Sequence, residues 1–292
     1  MNLTLIVVVM GLVAGVVALA VSASRAIEVD PIDPAVEERA VVRCLARRPR
    51  LARFIRQHFD RQSVGGFLIT VSFIVLFVCA LVVGVLLDMV DRGSGLAELD
   101  ESISEWGSEN ATSAAVDVLK AITELGSTSV IIVVLIVVAV IDFVRRRNVE
   151  VFAFVAAVGI GQLLLNNGLK VLVERERPNV GRLVEASGFS FPSGHSAAAA
   201  ATWSAVALVL GRDRSPTTRA VLAAAAALIA GAVATSRALL GVHWLTDIIA
   251  GLIVGWGWFV LVAVVFGGRA QRLGDPVDSR PRGVRSTPER TP

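Results

Sequence analysis

The chain alternates between long uncharged apolar blocks and short charged segments. Uncharged runs cover 1–24, 62–87, 125–141, 151–169, 186–211, 220–236 and 248–268. A helix crossing about 30 Å of hydrocarbon at about 1.5 Å per residue needs about 20 apolar residues. All seven runs lie within or near that length. They are continuous and lack the in-and-out alternation of a membrane barrel strand, so they predict helices. Seven such blocks in 292 residues also argue against buried helices of one soluble core. The expected fold class is an all-α integral membrane protein, with a six-helix transmembrane core over 62–268 and one further transmembrane helix at 1–24.

Composition supports this. Hydrophobic residues make up 54% of the chain and charged ones 18%, against about 25% charged in a typical soluble protein. The net charge of +3 is too small to imply nucleic-acid binding. Two cysteines, Cys44 and Cys79, exclude a disulfide framework and a four-thiolate zinc site. The basic residues are 26 Arg and 2 Lys, which singles out each lysine.

Charge also orients the chain. Segments 25–61, 145–150, 212–219 and 269–292, with Asp142 counted among them, hold 21 basic and 12 acidic residues. Segments 88–124, 170–185 and 237–247 hold 7 basic and 13 acidic. Short basic loops stay in the cytoplasm. The expectation is a multi-pass protein of the cell membrane with its Arg-rich side and C-terminus cytoplasmic and its acidic side outside. In the first run, Val21-Ser22-Ala23 resembles a signal-peptide cleavage site, but no positive n-region precedes it. Cleavage would also export the nine Arg of 25–61, so an uncleaved helix with its N-terminus outside is the favoured reading. Within 25–61, Arg39, Arg43, Arg47 and Arg50 alternate with Val42, Leu45, Leu51 and Phe54. That pattern fits a cytoplasmic linker helix or an interfacial helix drawn to anionic lipid. The tail 269–292, with four prolines and few apolar residues, reads as disordered and cytoplasmic.

Ionisable residues within membrane-spanning sequence are costly and mark function. Here they gather in three places: Lys170 to Pro178, Pro192-Ser193-Gly194-His195, and Ser236-Arg237 through His243 to Asp247. The first two share one loop. The third returns to the same face after two crossings. Lys170, Arg177 and Arg237 would place three cations around one point. Ser193 and the N–H groups of Gly194 and His195 would open a helix, whose N-terminus attracts anions. Arginine and lysine suit phosphate. Two histidines can supply a nucleophile and an acid, and Asp247 lies one helical turn from His243. No carboxylate cluster has metal-ligand spacing, so a metal-free site with no cofactor is expected.

These three segments resemble the signature of the type 2 phosphatidic acid phosphatase and haloperoxidase superfamily, K-x6-R-P, P-S-G-H and S-R-x5-H-x3-D. Every motif position is matched, and the resemblance covers about 62–268. It implies that the six-helix core is a phosphatase core. It implies that His243 attacks phosphorus and becomes phosphorylated, that Asp247 orients His243, and that His195 protonates the leaving oxygen. Lys170, Arg177, Ser193, Gly194 and Arg237 would hold the phosphoryl oxygens. The implied enzyme is a metal-independent membrane phosphatase whose partners are the bilayer and a lipid phosphate or diphosphate: polyprenyl diphosphate, phosphatidic acid or phosphatidylglycerophosphate. Soluble vanadate-dependent haloperoxidases share the signature, but seven apolar runs argue against that branch. A transferase with an acceptor other than water, and a non-catalytic membrane scaffold, remain as alternatives.

Overall fold

The computed structural model describes residues 64–179 and 181–269. The expected helix 1–24, the Arg-rich segment 25–61 and the tail beyond Arg269 lie outside the described residues. What is described is all-helical: α1 (Val64–Arg92), a single 3-10 turn (Gly95–Ala97), α2 (Glu98–Glu109), α3 (Ser113–Glu124), α4 (Thr128–Arg146), α5 (Glu150–Val173), α6 (Gly194–Gly211), α7 (Pro216–Leu239) and α8 (Leu245–Arg269).

Five helices are long and apolar enough to cross a membrane: α1 from Ser72, α4, α5, α7, and α8 as far as Phe266. The sixth, α6, is shorter than the uncharged run 186–211 suggested. It begins only at Gly194, because Ser193 caps it by accepting a hydrogen bond from the Ser196 N–H, and residues 186–193 remain loop. It is also rich in alanine, for a physical reason. α6 packs against α4, α5, α7 and α8, and its inward residues are the fully buried Ala197, Ala199, Ala200, Ala201 and Ala205. Small side chains let helix backbones approach closely. By contrast, α1 presents Phe73, Ile74, Phe77 and Leu81 outward, with Phe77 69% exposed. In a bilayer such a face meets lipid tails and carries no penalty.

The closest approach is between α6 and α8. A Cβ on Gly251 would lie 2.5 Å from the Ser193 carbonyl oxygen, and one on Gly255 would lie 2.3 Å from that of Ala197. Glycines four apart on α8 therefore seat its backbone against the first turns of α6. Phe154, Val158, Ala201 and Ala205 fill the space among α4, α5 and α6. Trp258 bridges α8 to α5 by donating to the Ala157 carbonyl at 3.1 Å. It acts as a packing residue between these helices.

Two charged clusters sit at opposite ends of α6. At its C-terminal end the buried Asp142 of α4 accepts from Arg146 Nε at 2.9 Å and Arg212 Nη1 at 3.1 Å. Arg146 also pairs with Asp213. The loops 145–150 and 212–219, expected on one side of the membrane, meet here. At the N-terminal end of α6 the three polar segments come together, covered by α2 and α3.

Candidate active site

The site is assembled from four helix ends. Lys170 lies in the last turn of α5, and a left-handed residue, Glu174 at φ 51°, stops that helix. The loop 174–193 brings Arg177 back over the bundle and delivers Gly194 and His195 as the first residues of α6. Arg237 closes α7. Gly241, at φ 70°, turns the chain so that His243 stands just before α8. Asp247 occupies the first turn of α8.

Six of the eight expected residues line one polar pocket of about 400 Å³: Lys170, Arg177, Gly194, His195, Arg237 and His243. The other two stand behind it, fully buried. Ser193 Oγ accepts from the Ser196 hydroxyl at 2.8 Å and from the Ser196 N–H at 3.4 Å, leaving its own O–H to donate. Its backbone N–H donates to the Asp247 carbonyl at 3.0 Å, which ties the start of α6 to the start of α8.

His243 is held from both sides. Its Nδ1 lies 3.4 Å from Asp247 Oδ2, and its Nε2 lies 3.1 Å from Arg177 Nη1. With Asp247 accepting from Nδ1–H, the lone pair sits on Nε2 and faces the pocket. Burial pushes the His243 imidazole down to about 4, with the Asp247 carboxylate opposing. Near neutral pH it is therefore an uncharged imidazole. Arg177 is fixed by carbonyls: Nη1 donates to Val242 at 2.7 Å, Nε to Gly188 at 2.9 Å and Nη2 to Ser187 at 3.0 Å. Burial lowers its guanidinium below the ordinary value, as it does for a cation without a carboxylate beside it. Lys170 Nζ donates to the Phe189 carbonyl. Arg237, largely buried, donates from Nη1 to Thr123 Oγ1 at 3.2 Å, while its Nε has no partner. Among the described residues, none of these three cations is in ion-pair contact with a carboxylate. Glu185 and Phe189, which had no assignment from sequence, both line the pocket, whereas Phe191 is core.

A second layer was not foreseen. Arg175 donates from Nη1 to Asp247 Oδ1 and Thr246 Oγ1, both at 2.7 Å, and from Nη2 to Asp100 Oδ2 at 2.8 Å. Asp100, buried in α2, also accepts from the Thr246 N–H at 2.9 Å and the Thr246 hydroxyl at 2.7 Å. The carboxylate behind His243 is thus locked by a partly buried arginine that a second carboxylate holds. In sequence, Arg175 lies in the Lys170 to Pro178 segment and Asp100 in the acidic segment 88–124, and neither had been given a role.

An apolar groove of about 600 Å³ runs between α4 and α5 and shares Asn167, Lys170, Gly194 and His195 with the polar pocket. Chemically, the arrangement groups three cations around an uncharged imidazole, a setting suited to an anion, with an apolar channel at its side. No group of three or more His, Cys, Asp or Glu suited to a metal occurs among the described residues.

Comparison with known proteins gives concordant matches. The family model of the PAP2 superfamily matches residues 150–270. Phosphatidylglycerophosphatase B of Bacillus subtilis (strain 168) is 34% identical over 148 residues, which is 50% of this chain and 72% of that protein. The solved structure of the first transmembrane PAP2 type phosphatidylglycerolphosphate phosphatase from Bacillus subtilis superposes with a TM-score of 0.59 at 30% identity. The match covers 64% of this chain and 92% of that one.

Proposed function

The chain belongs to the PAP2 superfamily and is a membrane phosphatase of that family, and from this premise we propose that it hydrolyses a phosphate monoester or diphosphate of a lipid through a phosphohistidine. The observation that carries the reading is the junction of pocket and groove. Three cations without carboxylate partners surround a neutral imidazole, and an apolar channel opens beside them. A phosphate would occupy the pocket and the lipid the groove.

His243 Nε2 attacks phosphorus, forming a P–N bond as the P–O bond to the leaving group breaks. His195 gives its proton to the departing oxygen. Lys170, Arg177, Arg237, the Ser193 hydroxyl and the Gly194 N–H stabilise charge on the phosphoryl oxygens. Such positioned charge is the main source of rate in phosphoryl transfer. Water then attacks phosphorus and yields a proton to His195. The P–N electrons return to His243, and inorganic phosphate leaves. Asp247 keeps Nδ1 protonated throughout, and Arg175 with Asp100 keeps Asp247 in place.

The site is assigned to the outer face and the C-terminus to the cytoplasm. The 21-to-7 division of basic residues supports that orientation. Substrate candidates are a polyprenyl diphosphate, phosphatidic acid and phosphatidylglycerophosphate, the last favoured by the name of the Bacillus subtilis relative. The test is phosphate release from these three lipids by purified protein in detergent, with and without EDTA. Release that survives EDTA and is blocked by orthovanadate is expected. Release that requires added magnesium would overturn the mechanism. For orientation, cysteines introduced at Arg182 and Arg280 are treated with an impermeant thiol reagent on intact cells. Labelling at position 280 and not at 182 would reverse the assignment.

A further inference from the structure

The groove beside the site is not uniformly apolar. Gln162, Asn166 and Lys170 follow one another at four-residue spacing on α5, so they share one face of a membrane helix. Gln162 is 5% exposed and Asn166 2%, and both line the groove. Asn166 Oδ1 has no hydrogen-bond partner. Its Nδ2 faces Gly194, where an added Cβ would come within 3.2 Å. A bare buried acceptor inside a membrane protein is costly to maintain. This one belongs to a side chain one helical turn before Lys170, whose amide nitrogen faces the glycine that opens α6.

Its position indicates what it meets. The following argument rests on the phosphatase reading above. His195, which faces the leaving oxygen, lines both pocket and groove. The leaving group therefore departs toward the groove that Asn166 lines. An amide oxygen can only accept, so the atom opposite it must carry a hydrogen. A fully acylated glycerol offers ester oxygens there, and a polyprenyl phosphate offers anionic oxygens. Both would set lone pairs against lone pairs. A glycerol phosphate monoester with a free hydroxyl on the carbon next to the scissile ester offers an O–H.

We propose that Asn166 is a specificity-determining residue that accepts a hydrogen bond from such a hydroxyl. The chain thereby favours lipid phosphates whose leaving group is a hydroxylated glycerol over phosphatidic acid and polyprenyl diphosphate. Sites built to bond a substrate hydroxyl discriminate strongly against analogues that lack it, because the buried partner is then left unmet.

The experiment compares phosphatidylglycerophosphate with its deoxy counterpart, in which propane-1,3-diol replaces the headgroup glycerol. Wild-type kcat/KM should favour the hydroxylated lipid by about tenfold or more. In Asn166→Leu that ratio should collapse to about one, since the acceptor is gone. The ratio is independent of how much of the variant folds. The wild-type comparison alone is decisive if the variant yields no protein, because equal rates on the two lipids would overturn the proposal. An unchanged ratio in Asn166→Leu would overturn it as well. If wild type hydrolysed neither lipid nor phosphatidic acid nor polyprenyl diphosphate, the phosphatase reading itself would fall, and this inference with it.

Discussion

The two ends of α6 both carry buried charge, and they are built on opposite plans. At the C-terminal end, Asp142 is bonded to two arginines and one of these reaches a further aspartate. Each charge has its opposite within reach, so the cluster is complete without a ligand. At the N-terminal end, the carboxylates are used behind the site. Asp100 and Asp247 share Arg175, while Lys170, Arg177 and Arg237 make their contacts with carbonyls, a hydroxyl and an imidazole. That end is left with three cations that have no ion-pair partner among the described residues, a setting suited to an incoming anion. A buried ion cluster thus shows its purpose by what remains unpaired. A satisfied cluster anchors helices, and an unsatisfied one binds.

The largest effect that would break this comparison is at His243. His243→Ala should abolish phosphate release from both a lipid phosphate and p-nitrophenyl phosphate, because no P–N bond can form. Retained turnover on the nitrophenyl ester would show that the surplus cations alone perform the chemistry. Next comes His195→Ala. General-acid assistance is worth about 10²–10⁴-fold, so initial rates on a lipid monoester should fall by about that factor. The loss on p-nitrophenyl phosphate should be visibly smaller, since nitrophenolate departs without a proton. An equal loss on both substrates would remove His195 from the acid role.

The sharpest test sets one arginine from each end side by side. Arg237→Gln should lower kcat/KM by about 10²-fold, the scale of losing one transition-state donor, and leave the melting temperature unchanged or raised, because a buried uncompensated charge is gone. Arg212→Gln should do the reverse. It removes one of the two arginines on the buried Asp142, a loss of about 1.5–3 kcal/mol, yet the specific activity of the folded fraction should stay at the wild-type level. Thermal unfolding in detergent, read beside the rates, decides. A destabilised Arg237→Gln with normal rates would erase the distinction between the two ends.

The smallest effect is in pH. His243 titrates at about 4, below the ordinary imidazole value of about 6.5. It therefore stays neutral and nucleophilic down to that range and is lost on protonation below it. The acid limb of kcat/KM contributed by this group should fall as pH drops through about 4, whereas an unperturbed imidazole would fall near 6.5. Single-turnover measurements of phosphoenzyme formation across pH 3–8, roughly the span that brackets both values, separate the two. A limb near 6.5 that disappears in Asp247→Asn would show the imidazole to be better solvated than its surroundings imply.

What was legible in the sequence follows from how far apart the cooperating residues lie. His243 and Asp247 are four residues apart, and Lys170 and Arg177 are seven apart, so spacing alone reports them. Arg175 meets Asp247 across 72 residues and Asp100 across 75, and Asp100 meets Thr246 across 146. No local pattern connects these pairs, so Arg175, Asp100 and Thr246 drew no role from the sequence. The helices were legible from the absence of charge, and the same rule failed at 186–193. Those loop residues are uncharged because they fold over the pocket, where their carbonyls serve Arg177 and Lys170. Asn166 escaped notice for a related reason. It carries no charge and sits inside an apolar run, so its importance rests on a missing hydrogen-bond partner that a sequence does not display.

The glycine contacts between α6 and α8 bear on how such a protein changes its diet. In the proposed mechanism the proton donor, His195, rides on α6 and the nucleophile, His243, stands just ahead of α8. Gly251 and Gly255 seat one backbone on the other and so tie the two histidines together. The groove is walled mainly by other elements, α4 and α5, whose residues reach the site only near Lys170. Mutations in the groove wall can therefore drift toward longer, shorter or more polar lipids while the reacting atoms hold their registration. In this architecture innovation in substrate and conservation of mechanism are physically separable, and the seam between them runs along the face of α5 that carries Asn166.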